Sequence, residues 1–103
     1  MSRALSSATA LVVDALDRGF HHGFDILDAT GLPSGTVYPI LRRLEGDGLA
    51  RSRWESVKIA QREQRPPRRY YELTATGTAL VAEARARFPM LAALPARGRT
   101  RRA

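Results

Sequence analysis

The chain has 103 residues, 44% of them hydrophobic, and a formal net charge of +7. That length leaves room for one domain with a modest core, and the apolar content predicts a folded chain. The absence of cysteine excludes disulfides and thiolate metal sites. No apolar run approaches the ~20 residues of a membrane span and no basic-then-apolar leader opens the sequence, so a cytoplasmic location and no membrane partner are expected.

The distribution of charge says more than its total. Residues 1–30 hold two Arg against four Asp, residues 31–48 balance, residues 49–72 hold seven Lys/Arg against three Glu, and residues 90–103 hold four Arg and no acid. Two positive blocks suit an anionic polymer as partner. Neither is an amphipathic helix with bulky apolar residues opposite the charge, which argues against a membrane surface.

Residues 5–18 read as a first helix, because Ala8, Leu11, Val12, Ala15 and Leu16 recur at helical spacing. Asp14, Asp17 and Arg18 lie off that stripe, and Gly19 ends it. Residues 20–24 form a turn in which Phe20 and Phe24 are expected to plug the core. A short second helix over 24–30 is broken by Gly31, and Leu32-Pro33 lead into the stretch around which the chain is organised. There Val37, Ile40, Leu41 and Leu44 share one helical face, with Ser34 as the expected N-cap and Gly46 and Gly48 as the stop. The opposite face carries Thr36, Tyr38, Pro39, Arg42 and Arg43. Hydroxyls and guanidinium forks on a rigid rod are what a helix needs to sit in a major groove. A short helix, a glycine turn and a second helix with polar residues at its start form a helix-turn-helix. Pro39 conflicts locally with the helix, since it removes a donor and should bend the axis, but the apolar period runs through it.

After Gly48 the period changes to two. Leu49 to Glu55 and Arg69 to Thr74 read as strands, joined by a polar, proline-bearing tip over 56–68 that is expected to lie outside the core. A basic hairpin directly after a helix-turn-helix is a wing, and Arg62, Arg65, Arg68 and Arg69, stiffened by Pro66-Pro67, are placed to reach phosphates or the minor groove. Thr74 is the expected cap of a last helix whose stripe holds Leu73, Gly77, Leu80, Val81, Ala84 and Phe88. That stripe is wider than a small core requires. Leu80, Val81, Ala84 and Phe88, with Leu5 and Leu11 of the first helix, are therefore expected to form a two-fold self-association surface. Pro89 ends the helix. The division expected is a DNA-binding unit over 1–74, a dimerisation helix over 75–89 and a basic, disordered tail over 90–103. Arg97-Gly98-Arg99 matches the core of an AT-hook in three residues only, and a nonspecific phosphate tether or an idle tail accounts for the charge as well.

Several stretches together resemble a known family. Gly35-Thr36-Val37-Tyr38-Pro39-Ile40-Leu41-Arg42-Arg43-Leu44-Glu45, then Gly48-Leu49, Trp54, Arg65-Pro66-Pro67-Arg68-Arg69-Tyr70-Tyr71-Glu72-Leu73-Thr74 and Gly77 are similar to the PadR family of winged-helix regulators. His22-Gly23-Phe24-Asp25-Ile26-Leu27 resembles the family's His-Gly-Tyr-x-Ile start of helix 2. The resemblance runs over roughly residues 5–88. It implies a mainly α winged helix-turn-helix fold with three helices, a two-stranded wing and a C-terminal dimerisation helix. It also implies a homodimeric repressor on double-stranded DNA, with contacts on Ser34, Gly35, Thr36, Tyr38, Pro39, Arg42, Arg43, Arg65, Arg68 and Arg69. Some relatives bind drug-like or phenolic ligands at the dimer interface, so an unidentified small-molecule effector belongs to the expectation. Three departures stand out: Gln64 and Pro67 in the wing, where Gly-Arg-Pro-Arg is common, the early stop at Pro89, and the lack of a long C-terminal helical domain after it.

The function expected is a sequence-specific regulator, a repressor acting as a homodimer on a pseudo-palindromic operator. The alternative is a winged-helix protein-interaction module or a nonspecific DNA-binding protein. An enzyme or metal protein is disfavoured. His22 with Asp25 offers two ligands at helical spacing and no third. There is no cysteine nucleophile, no phosphate-binding glycine loop and no carboxylate pair in an apolar setting. No metal and no cofactor are expected.

Overall fold

The computed structural model describes residues 5–93 of the chain. Helix α1, Ser7–Asp17, is its axis: Thr9, Ala10, Val12, Val13, Asp14, Ala15 and Leu16 are all buried. Ser6 opens the helix, its hydroxyl accepting from the Thr9 N–H at 3.1 Å, the usual way one of the free first-turn donors is satisfied. The expected stripe of Ala8, Leu11, Val12, Ala15 and Leu16 covers only one side of what is buried. Ala8 and Leu11 are only partly covered, while Ala10, Val13 and Asp14, off the stripe, are fully enclosed. The reason is that α1 is packed from two sides, by the helix-turn-helix on one and by the C-terminal helix on the other.

Helix α2, Gly23–Thr30, begins at His22, whose ring accepts from the Asp25 N–H, and ends at Gly31 with φ 74°. Only glycine reaches that left-handed geometry at little cost. Helix α3, Ser34–Gly46, buries Val37, Ile40, Leu41 and Leu44 against α1 and α2. Its N-cap is Pro33 rather than Ser34: Pro33 is extended and its carbonyl accepts from Thr36 and Val37, so Ser34 is already helical and its hydroxyl caps nothing. Pro39 sits inside the helix. Asp47 is the C-cap and Gly48, at φ 77°, turns the chain, while Gly46 stays helical.

Strands β1, Ala50–Trp54, and β2, Arg69–Leu73, pair antiparallel with Ser52 opposite Tyr71 and Trp54 opposite Arg69. The segment between them departs from the expected loop. It contains helix α4, Val57–Arg62, capped by Ser56, with Ala60 buried. Ser56 supplies the first-turn acceptor that lets a helix of this length form. The chain before α2 lines up beside β2: the His21 carbonyl accepts from the Tyr71 N–H at 2.7 Å, and His22 bridges Tyr70. The two-stranded hairpin is thus tied along one edge to the helix-turn-helix. The whole is a winged helix-turn-helix.

Helix α5, Ala75–Arg87, starts at Thr74, whose hydroxyl accepts from the Gly77 N–H and donates to the Gly48 carbonyl at 2.7 Å. Gly77 lies so close to the Leu49 carbonyl that any Cβ there would overlap it. Pro89 stops the helix, but residues 89–93 continue as a 3₁₀ helix, Pro89–Ala93, that folds back and buries Leu91 with Leu5, Ala10 and Ala84. Leu5, Val81 and Ala84, expected on a self-association surface, are therefore core residues of the single chain. Leu11, Leu80 and Phe88 pack at the edges of that core and stay partly exposed. α5 is thus no separate layer. The tail expectation falls mostly on residues 94–103, outside the described residues.

The second side of α1 is closed by charge as well as by packing. Asp14, fully buried, accepts from Arg18 Nε at 2.6 Å and from Arg85 Nε at 2.8 Å. Arg85 also holds Asp17 at 3.0 Å, and Arg18 donates to the Leu91 carbonyl at 2.9 Å. Burial alone would lower the Arg85 pKa, but its bonds to Asp14 and Asp17 outweigh that and raise it. Asp14→Asn keeps the volume and removes the charge. Since a hydrogen bond to a charged group contributes about 1.5–3 kcal/mol, this variant is expected to lower stability by that order in urea denaturation. Wild-type stability in Asp14→Asn would show that the network adds nothing.

Candidate nucleic-acid interface

The exposed side of α3 carries Ser34, Gly35, Tyr38, Pro39, Arg42 and Arg43, with Thr36 half-covered. This follows from the apolar period: once Val37, Ile40, Leu41 and Leu44 face α1 and α2, the remaining positions face outward. The outward residues are not equivalent. Arg43 reaches back to α1 and donates to the Thr9 hydroxyl at 3.2 Å. Arg42 has no hydrogen bond or ion pair among the described residues. Tyr38 leans on the start of α2. Its ring and hydroxyl occupy the space where any Cβ on Gly23 would stand, so the glycine lets the two helices of the motif close on each other.

The angle between α3 and the wing is held by one small network. Ser52 on β1 donates to Glu45 of α3 at 2.7 Å and accepts from Arg69 of β2 at 2.9 and 3.1 Å. Arg69 also lies 3.6 Å from Glu45 and stacks over Trp54 and Tyr71 at 5.3 and 5.9 Å. Arg69 is therefore a structural link between helix and wing as well as a surface cation.

A second network holds the wing tip. Glu55, just past β1, is buried and takes both arms of the Arg65 fork at 2.6 and 2.9 Å. It also accepts from the Arg68 N–H and the Tyr70 hydroxyl, each at 3.2 Å. These donors, Arg65 foremost, hold the Glu55 carboxyl down at about 2, well below the ordinary 4.5, against the opposing effect of burial. The same bond raises the Arg65 pKa further. A paired, planar fork of this kind is the strongest geometry an arginine makes with a carboxylate.

The basic residues of the wing thus divide. Arg65 is bound to Glu55, and Arg51 faces Glu72 across the strands at 2.9 Å. Arg53 lies over the Tyr70 ring at 5.4 Å. Lys58, Arg62 and Arg68 offer side-chain charges with no hydrogen bond or ion pair among the described residues. Of the four wing arginines singled out in the sequence, Arg65 and Arg69 are engaged within the fold, and Arg62 and Arg68 are available. Sequence spacing had not marked Glu55 or Ser52, although a lone Glu beside a run of arginines is a signal that one of those arginines is paired.

Phe24 corrects a further expectation. It was expected in the core with Phe20. Phe20 is buried, but Phe24 is exposed and lies beside Tyr38 and Trp54. The His22 cap and the close approach of Gly23 to Tyr38 fix the rotation of α2, and that rotation turns Phe24 outward while Ile26 goes in.

Among the described residues no group of three or more His, Cys, Asp or Glu is placed to hold a metal ion, and no helix is long and apolar enough to cross a membrane.

A family model described as the transcriptional regulator PadR-like family matches residues 12–83. A PadR-like transcription factor from Bacteroides fragilis is 30% identical, with 82% of each chain covered and a TM-score of 0.62. A PadR family transcription regulator from Clostridium difficile R20291 is 22% identical over 85% of this chain and 93% of its own, with a TM-score of 0.69. BpsR of Bordetella bronchiseptica, whose DNA binding is regulated by 6-hydroxynicotinic acid, is 22% identical over 86% of this chain and 63% of its own, with a TM-score of 0.65. No curated protein sequence matches the chain.

The Glu55 clamp has a pH signature. A carboxylate whose folded pKa is depressed stabilises the fold in full above its unfolded value, and that contribution is lost as pH falls through the folded value. Here the window runs from 4.5 down to about 2. Glu55→Gln is expected to be less stable than wild type at neutral pH, with the gap closing across that window. Thermal unfolding of both proteins over a pH series checks this, and a gap that does not change with pH would show that the charge of Glu55 does not matter.

Proposed function

Because this chain belongs to the PadR-like family of transcriptional regulators, which bind DNA, we propose that it is a cytoplasmic repressor acting as a homodimer on a pseudo-palindromic operator. The observation that carries this is the outward face of α3. It is polar and rigidly mounted, it presents the unpartnered Arg42, and it stands beside a wing whose Arg68 is equally free. Such a face has the donors that phosphates and guanine edges accept.

The roles divide by geometry. Ser34, Gly35, Thr36, Tyr38, Pro39 and Arg42 form the major-groove face. Arg68 anchors the backbone from the wing, with Lys58 and Arg62 at its tip. Arg43 and Arg69 support the face through Thr9 and through Ser52 and Glu45, and Arg65 acts through the wing's rigidity. For the dimer, the candidate surface is what α1 and α5 leave uncovered: Leu11, Leu80, Phe88 and the exposed Met90. A small-molecule effector is part of the same reading, supported by the regulation of the Bordetella protein by 6-hydroxynicotinic acid.

Two recognition helices on a two-fold axis read half-sites about 10 bp apart. Selection from a random duplex pool should therefore enrich a two-fold symmetric motif at that spacing, and light scattering should show a dimer. Affinity should fall log-linearly with salt as phosphate contacts release counterions. Arg42→Ala should weaken binding. A slope reduced by about one marks Arg42 as a phosphate contact, and relaxed specificity at one base pair marks it as a base contact. Absence of duplex binding at low salt would favour a protein-interaction module. Salt-sensitive binding with no enriched motif would favour a nonspecific DNA-binding protein, and a monomer in light scattering would overturn the dimer.

A further inference from the structure

Among the described residues three aromatic side chains are exposed, and all three line one groove. Phe24 is 75% exposed, Trp54 62% and Tyr38 37%. The groove, about 410 Å³, opens between the start of α2, the middle of α3 and the mouth of the wing, where Pro67, Arg68 and Arg69 close it. An isolated exposed aromatic needs no explanation, but a cluster of them marks a surface that something covers. No acidic residue lines this groove. Its floor is aromatic and its rim cationic, with the free Arg68 on the wing and Arg69 stacked on Trp54. Arg42, one helical turn from Tyr38, extends the same face along α3.

An occupant for this groove needs apolar faces and negative charge alternating at short range. A sugar–phosphate strand has both: deoxyribose rings against the aromatics, phosphates against the guanidinium groups. We propose that the groove seats one strand of the operator backbone, with Phe24 and Trp54 packed on deoxyribose and Arg68 on the adjoining phosphate. Phe24 and Trp54 are then positioning residues that set how α3 enters the major groove. The proposal rests on the DNA-binding reading and adds apolar contacts to it.

The test uses the fact that Trp54 is the chain's single tryptophan, so its fluorescence reports this groove alone. Saturating duplex carrying the selected motif should shift Trp54 emission and shield it from acrylamide. Trp54→Ala and Phe24→Ala, both at exposed positions and thus expected to fold, should each weaken duplex binding roughly ten-fold while leaving the salt slope unchanged. Arg68→Ala should reduce that slope by about one. An apolar contact and a phosphate contact are thereby told apart in one assay. Trp54 remaining fully quenchable in the DNA complex, or full affinity in both alanine variants, would overturn the proposal and leave the groove to a protein partner. Failure of the wild-type chain to bind duplex at all would instead overturn the DNA-binding reading beneath it.

Discussion

Closure of this small fold depends on one buried carboxylate. Asp14 lies at the centre of α1 with no exposure to solvent, and a charge there is tolerable only if it is fully bonded. Arg18 and Arg85 supply that bonding: Arg85 ties α5 to α1, and Arg18 also holds the 89–93 segment through the Leu91 carbonyl. The apolar residues around it, Leu5, Ala10, Ala84 and Leu91, could pack in more than one way. The geometry of two guanidinium groups on one carboxylate is far more restrictive. The consequence reaches the proposed dimer. Side chains that a stripe of apolar residues would assign to a partner are used within the chain, and the surface left to a partner is narrower and lies at the edges of α1 and α5.

The same logic governs the wing. Seven basic residues between 49 and 72 look alike in sequence, yet they do different work. Glu55 binds Arg65 and orders the tip, Ser52 and Glu45 bind Arg69 and set the wing against α3, and Glu72 faces Arg51. What is left for an anionic partner is a smaller, directed set: Arg42 on the helix and Lys58, Arg62 and Arg68 on the wing. A rigid mount makes that set more useful than a larger mobile one, because free side chains lose less freedom on binding when the backbone beneath them is already ordered. The family assignment and this division of labour agree: the cations that build the fold and the cations that face outward sit on the same two elements, a few residues apart.

Much of this was legible in the chain's pattern. The helical period at Val37, Ile40, Leu41 and Leu44 predicted which face of α3 is buried, and so which face is free. The period of two around Arg51 to Trp54 and Tyr71 to Leu73 predicted the strands, and Gly31, Gly48 and Thr74 marked element ends where the backbone or the cap demanded those residue types. These are local signals, set by repeat length and by the conformations a residue type allows, and they need no knowledge of what packs against what. They carried the fold and the outward face of α3.

What only the tertiary structure decided were relations between residues distant in sequence. Phe20 and Phe24 are equally apolar, but Phe20, bonded back to Ala15 in the turn after α1, is buried, while the rotation of α2 fixed by His22 and Gly23 exposes Phe24. Arg65 and Arg68 are three apart in one basic run, but Glu55 lies within reach of the Arg65 side chain and, at Arg68, only of the backbone N–H. Asp14 lies off the helical stripe and reads as surface, but α5 packs on its side of α1 and encloses it. Period and composition report how a segment meets an average environment. The partner of a given charge, and the side of a helix that a second layer covers, are fixed by chain segments up to seventy-odd positions away, and no local pattern encodes them.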